Sequence, residues 1–265
     1  MSMVALVKLK AVERPRGRLL CFPYAGGNAV AFHPWRSHLP EDVELWAAQY
    51  PGRGYRFREA PFTRLADLLA EQLPLVRGLC ALPTVFFGHS MGATVAFELT
   101  QLLWAQSGGP MPKHLFLSAR AAPHDLPTAG GIAPLPDLSD GELLRRLHAL
   151  SGTPAAVLNS PELMGRALQN LRADLRCLHG WWPGPRAPLP IPITAFGGRD
   201  DPFVAFADLE GWRAHTSVAF KQHQFPGHHF FLRECYPDLL DRMSRHLATL
   251  ALPGDGLDPR HLDVH

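Results

Sequence analysis

TVFFGHSMG, residues 84–92, joins a short apolar run to a G-x-S-x-G pentapeptide, and the residues that follow (ATVAFELTQLL) carry apolar side chains at helical spacing. Strand, tight turn and helix in that order are the setting in which a serine can be presented as a nucleophile. Ser90 would occupy a strained turn with its hydroxyl at the end of the strand. Side chains at Gly88 and Gly92 would strike neighbouring backbone there, and the following helix would aim its N-terminal N–H groups at the site. The pentapeptide alone is common. The strand before it and the helix after it make Ser90 the candidate nucleophile.

Outward from this stretch, short apolar runs alternate with longer amphipathic ones. Strands are expected at 18–24, 43–50, 84–87, 114–118, 191–196 and 218–225, each read as a fully buried strand, with helices near 63–79, 91–106, 203–215 and 236–250. Such alternation predicts a mostly parallel sheet covered by helices on both faces. Residues 123–188 break the rhythm, with no convincing strand. Ser139 and Glu142 make a capping box before Leu143, Leu144, Leu147 and Leu150. Ser160-Pro161 opens a second helix with the stripe Met164, Leu168, Leu171, Leu175 and Leu178. The expected organisation is a core formed by 1–122 and 189–252, an inserted helical lid at 123–188 and a polar tail at 253–265.

A serine hydroxyl needs a base, and the base needs an orienting acid. In α/β-hydrolases these follow in the chain order Ser, Asp or Glu, His. After the strand at 191–196 comes Gly197-Gly198-Arg199-Asp200-Asp201-Pro202, and after the strand at 218–225 comes Pro226-Gly227-His228-His229-Phe230-Phe231. Each loop offers two candidates. Asp201 is preferred to Asp200 because Pro202 holds its backbone extended. His229 is preferred to His228 because the two aromatics after it can pack the loop. An oxyanion hole needs two backbone N–H groups, one expected from Met91 and the other from Ala25 in the loop PYAGGN at 23–28, whose glycines permit close approach.

Composition excludes several alternatives. With 46% hydrophobic and 19% charged residues the chain is globular, and 26 basic against 24 acidic residues, a net +2, does not suit a nucleic-acid binder. Four scattered cysteines, Cys21, Cys80, Cys177 and Cys235, fit reduced thiols better than a disulfide framework or zinc site. No metal-ligand spacing such as HExxH occurs, and PGRG at 51–54 is not a phosphate-binding loop, so no metal or cofactor is expected. The start of the chain lacks signal-peptide character and no apolar run reaches 18 residues; a cytoplasmic monomer is expected. Arg53, Arg56, Arg58 and Arg64 are read as a solvated basic face. Trp181 and Trp182 could line a substrate pocket or close a packing seam. His89 is read as a packed residue of the turn.

With these residues in hand, the chain resembles the type II thioesterases of polyketide and nonribosomal peptide assembly lines. The resemblance is carried by CFPYAGGNA (21–29), YPGRGYRFRE (50–59), FFGHSMGATVAFEL (86–99), FGGRDDP (196–202) and FPGHHFFL (225–232), and spans nearly the whole chain. It implies an α/β-hydrolase fold, a Ser90–His229–Asp201 triad and an oxyanion hole at Ala25 and Met91. It also implies hydrolysis of acyl thioesters on the phosphopantetheine arm of acyl or peptidyl carrier proteins, as an editing step. Through its acidic carrier proteins it implies a docking role for Arg53, Arg56, Arg58 and Arg64 as the alternative to a solvated face, and it would make a pocket at Trp181 and Trp182 an acyl pocket. A carboxylesterase or acyltransferase with the same triad is the alternative.

Overall fold

The computed structural model describes residues 5–106, 108–123, 139–149, 161–179, 181, 184 and 186–248. Seven strands form one sheet: β1 (Leu6–Lys10), β2 (Gly17–Phe22), β3 (Val43–Ala48), β4 (Thr84–His89), β5 (Leu115–Ser118), β6 (Ile193–Gly198) and β7 (Phe220–Phe225), in the spatial order β1-β3-β2-β4-β5-β6-β7. Only β1 pairs antiparallel, with β3; every other neighbour is parallel. The helices are α1 (Leu65–Leu79), α2 (Met91–Ala105), α3 (Asp140–Ala149), α4 (Pro161–Leu178) and α5 (Tyr236–Ala248). This is the α/β-hydrolase architecture, and its central strands are the ones expected from the apolar runs.

Alternation along the central strands builds two cores. In β2, Leu20 and Phe22 face one side while Leu19 and Cys21 face the other, and in β4 Phe86 opposes Val85 and Phe87. The first face is covered by α1 and α2, the second by α5 and by a 3₁₀ helix, Ala29–Ser37. Burial of both faces explains why β2 and β4 are continuous apolar runs.

Four features differ from the sequence expectation. β1 was not anticipated: its two lysines disguise it, yet Lys8 pairs at 2.7 Å with Glu44, a buried β3 carboxylate that also takes Arg18 at 2.8 Å. β7 is not fully buried, because it forms the sheet edge and leaves most of its side chains partly exposed. The helix at 203–215 is a 3₁₀ helix, Phe206–His215, and the 3₁₀ helix at Ala29–Ser37, capped by the Asn28 side chain on the Val30 N–H, was missed.

Between β5 and β6 the chain forms α3 and α4. The Ser139 hydroxyl accepts the Glu142 N–H at 3.3 Å, as a cap should. Leu168 and Leu171 of α4 pack with Leu143, flanked by Met164 and Leu175, while Leu178 packs on the main core. The Ser160 cap, Trp182 and the 253–265 tail lie outside the described residues.

Candidate active site

β2 and β4 are neighbours in the sheet, with Phe22 paired to Gly88, but the chain leaves them in opposite directions, β2 toward β3 and β4 toward β5. A crevice opens where strand order reverses in this way, at the carboxyl ends of the strands. Ser90 follows β4 and the Tyr24–Gly27 loop follows β2, so both face it.

Ser90 has φ +54° and ψ −114°, one of two described non-glycine residues with positive φ. Such a conformation costs of order 1–3 kcal/mol and persists only where neighbours impose it. Here the Ser90 N–H donates to Ser118 O at 2.8 Å, and Ser90 O accepts the Ala93 N–H at 3.0 Å. A Cβ on Gly88 would stand against Gly92 O, and one on Gly92 against Phe22 O, so both glycines are sterically required. Serine is a favoured helix cap, but this backbone keeps its side chain from capping α2. The hydroxyl is left available at a partly exposed position.

The Asp201 and His229 loops are zipped to one another. β6 and β7 pair as far as Gly198 opposite Phe225. Beyond that, Arg199 N–H donates to Phe225 O (2.8 Å) and Asp200 N–H to Gly227 O (3.0 Å). A Cβ on Gly198 would meet the carbonyls of His228 and Gly227, which is why β6 ends in glycine. Across this seam His229 Nδ1 stands 2.7 Å from Asp201 Oδ2, with the Asp201 side chain fully buried. The other carboxylate oxygen accepts from Phe203 N–H (2.9 Å) and Val204 N–H (3.3 Å). Asp201 is thus fixed by backbone on one oxygen and faces the imidazole with the other. The alternatives fall outside this arrangement: Asp200 and His228 are exposed, and His228 Nδ1 meets Asp200 O instead.

Aromatic rings hold the imidazole. Phe230 and Phe203 lie edge-on to His229 with centroids at 5.3 and 5.5 Å, and His89, the residue before Ser90, lies at 5.4 Å. Phe231 stacks on Phe225 beneath the loop. His89 is buried, its Nδ1 2.9 Å from Ser118 Oγ; burial and the nearby His229 push its pKa well below the ordinary histidine range. It therefore stays neutral and braces the turn, as read from the sequence.

Ala25 packs against the Leu143–Leu168–Leu171 cluster, and its loop is closed by Gly27 N–H to Tyr24 O at 2.8 Å. Met91 is the first residue of α2. Among the described residues no group of three or more His, Cys, Asp or Glu side chains could hold a metal ion, and no helix is long and apolar enough to cross a membrane. The four cysteines are free, three of them buried.

The basic stretch at 53–64 requires correction. Arg53 is buried and forks onto Asp174 of α4, at 2.5 and 2.7 Å. Arg56 is buried between Glu59 and Glu71, at 2.5 Å from each. Both guanidiniums are used inside the protein and cannot meet a partner; only Arg58 and Arg64 remain at the surface. Gly52 and Gly54, with φ of +84° and +54°, turn the chain on either side of Arg53, and the inward direction of both arginines is set by the carboxylates they meet, Asp174 and Glu71. Trp181 is partly buried against the main core, with the Arg120 guanidinium 5.6 Å from its ring. Asp174 was missed as a site neighbour. The signal was present: Asn170 and Asp174 are polar residues four apart on the buried face of an otherwise amphipathic helix.

Comparison with known proteins agrees with this geometry. The thioesterase domain family matches residues 17–247. The gramicidin S biosynthesis protein GrsT of Aneurinibacillus migulanus is 38% identical over 236 residues, covering 89% of this chain and 91% of the relative. Thioesterase PikA5 of Streptomyces venezuelae is 34% identical over 241 residues, covering 88% and 81%. Among solved structures, the type II thioesterase BorB from the borrelidin biosynthetic cluster superposes with a TM-score of 0.83 at 34% identity, covering 93% of this chain and 99% of that one. The RedJ thioesterase from the prodiginine pathway of Streptomyces coelicolor gives 0.79 at 36% identity, covering 89% of each.

Proposed function

This chain belongs to the thioesterase family, and from that membership we propose that it hydrolyses acyl thioesters carried on the phosphopantetheine arm of acyl or peptidyl carrier proteins in polyketide or nonribosomal peptide synthesis. The observation that carries the reading is the 2.7 Å contact of His229 with buried Asp201 beside the strained turn at Ser90. In the proposed reaction His229 takes the Ser90 proton while Asp201 stabilises the imidazolium. Ser90 Oγ attacks the thioester carbonyl, and the oxyanion is met by the N–H groups of Ala25 and Met91. Collapse of the tetrahedral adduct breaks the C–S bond. His229 returns its proton to the departing thiolate, and an acyl-Ser90 ester remains. Water, deprotonated by His229, then repeats the sequence and releases the acid. No metal or cofactor enters these steps.

The stripe of α3 and α4 above Ala25 supports a lid role for the segment 123–188, under which a long thin arm could enter. The reading extends to a monomer working in the cytoplasm, in keeping with four free thiols. The test is intact-protein mass spectrometry of acyl-loaded carrier proteins. Wild type should shed the acyl mass and Ser90→Ala should not; cleavage of oxygen esters with no action on thioesters would refute the proposal.

A further inference from the structure

We propose that Asp174, clamped by Arg53, is a positioning residue for the oxyanion loop, so that the Ala25 N–H is correctly aimed only while α4 is seated on the core. The inference rests on the assignment of Ala25 as a hole donor. Its basis is what the carboxylate reaches besides Arg53. Asp174 Oδ2 also accepts the Gly26 N–H at 2.7 Å, and Arg53 Nη1 extends to Gly27 O at 3.3 Å. Both side chains are almost wholly buried, at 6% exposure for Arg53 and 4% for Asp174.

The consequence follows from which peptide planes are held. The Ala25 N–H shares a peptide unit with Tyr24 O, which accepts the Gly27 N–H at 2.8 Å. The next unit carries the Gly26 N–H, held by Asp174. The unit after Gly27 is held through its carbonyl by Arg53. Planes on both sides of Ala25 are therefore pinned, one of them from a helix 148 residues away. Peptide units are rigid, so fixing two in succession fixes the Ala25 torsions between them and holds the first plane, and with it the Ala25 N–H, in one direction.

Two other polar ties of α4, to the 52–62 segment, differ in kind. Asn170 Nδ2 donates to Gly52 O (2.8 Å) and the Cys177 thiol to Phe62 O (3.3 Å). They seat the helix without touching the 24–27 loop. A buried ion pair is also an inefficient way to hold a helix down, since apolar pairs of similar volume often do it as well. What an apolar pair cannot do is accept the Gly26 N–H. The pair thus couples placement of the helix over the site to the competence of the hole.

The experiment measures kcat and KM on a soluble acyl thioester for wild type, Asp174→Asn, the apolar double variant Arg53→Met/Asp174→Leu, and Asn170→Ala. Expected values are a kcat about 100-fold lower in the double variant, the order of cost of losing one hole donor. Asp174→Asn should fall about 10-fold, because asparagine keeps one acceptor but turns its NH₂ toward Arg53. KM should stay within about 3-fold, and the pH profile of kcat/KM should keep its shape, since the triad is untouched. Asn170→Ala, with its thermal midpoint lowered, should retain kcat within about 3-fold. The proposal is overturned if the folded double variant keeps wild-type kcat, if Asn170→Ala loses as much, or if the loss lies in KM alone. Should the double variant not fold, wild-type kcat in folded Asp174→Ala, which leaves the Gly26 N–H with no side-chain acceptor, overturns it. Wild-type inactivity on thioesters would instead sink the functional reading.

Discussion

Replacing Asp201 by asparagine tests the acid–base couple with little change of shape. Asp201 Oδ1 accepts two backbone N–H groups, from Phe203 and Val204, so the asparagine carbonyl must keep that side and its NH₂ must turn to His229. An amide NH₂ only donates. His229 Nδ1 must then accept, and the ring proton moves to the other nitrogen, where the Ser90 proton would have to go. The lost charge adds to this. An imidazolium and a carboxylate whose charge centres lie about 4 Å apart attract by about 4 kcal/mol at an effective dielectric near 20, about a thousandfold in rate. The same substitution in a serine protease costs about 10⁴. The expected fall in kcat/KM at neutral pH is therefore about 10³- to 10⁴-fold, with KM nearly unchanged. Asp200→Asn should stay within about 2-fold, because the Asp200 side chain is exposed and its recorded contacts to the base loop use backbone N–H and carbonyl alone. Release of free thiol from a short acyl thioester, read with a thiol-reactive chromophore, measures both. Comparable losses at the two positions, or more than a tenth of wild-type activity in Asp201→Asn, would refute the reasoning.

Three other outcomes follow from packing and charge. Gly92→Ala puts a methyl group against the Phe22 carbonyl, a backbone atom that cannot swing away; urea unfolding should show a loss of about 3 kcal/mol, and a loss below about 1 would contradict the steric account. Arg56→Ala strands Glu59 and Glu71; as both carboxylates are partly solvated, the cost should sit near the lower end for broken buried pairs, about 3 kcal/mol, whereas Arg58→Ala should change stability by less than about 0.5 kcal/mol. His114 stacks on Phe116 and meets the Thr194 hydroxyl at 2.9 Å; burial first, then the charges of His246 and Lys221, lower its pKa to about 3. Between pH 6.5 and about 3 the unfolded chain binds a proton there that the folded chain refuses, so stability falls as pH falls, by up to about 1.4 kcal/mol per unit. His114→Phe should flatten that slope between pH 6 and 4.5, and parallel slopes would show that the acid sensitivity lies elsewhere.

The central strands and the turn at Ser90 were legible because they depend on local chemistry: apolar runs for strands buried on both faces, and glycines where only hydrogen fits. The Asp201–His229 contact was reachable because a fixed chain order narrows each search to one loop, and the structure separates the members of each pair by burial. What escaped had its cause far away in sequence. β1 is a strand because it pairs with β3, across which Lys8 meets Glu44, 36 residues on. Arg53 and Arg56 looked solvated because arginine usually is; that they turn inward depends on Asp174, 121 residues from Arg53, and on Glu71. The edge position of β7 is likewise a property of strand order, although the polar run Lys221–Gln224 already marks the strand as only partly buried.

That edge position matters for how the protein would fail under stress. His229 hangs from the end of β7, the outermost strand of the parallel run, while Ser90 hangs from the middle of the sheet. Outer ladders fray at lower free energy than inner ones. Deuterium would enter β7 before β4, and with His229 as the proposed base, warming or mild urea would silence the enzyme through a detached imidazole while most of its circular dichroism was still native.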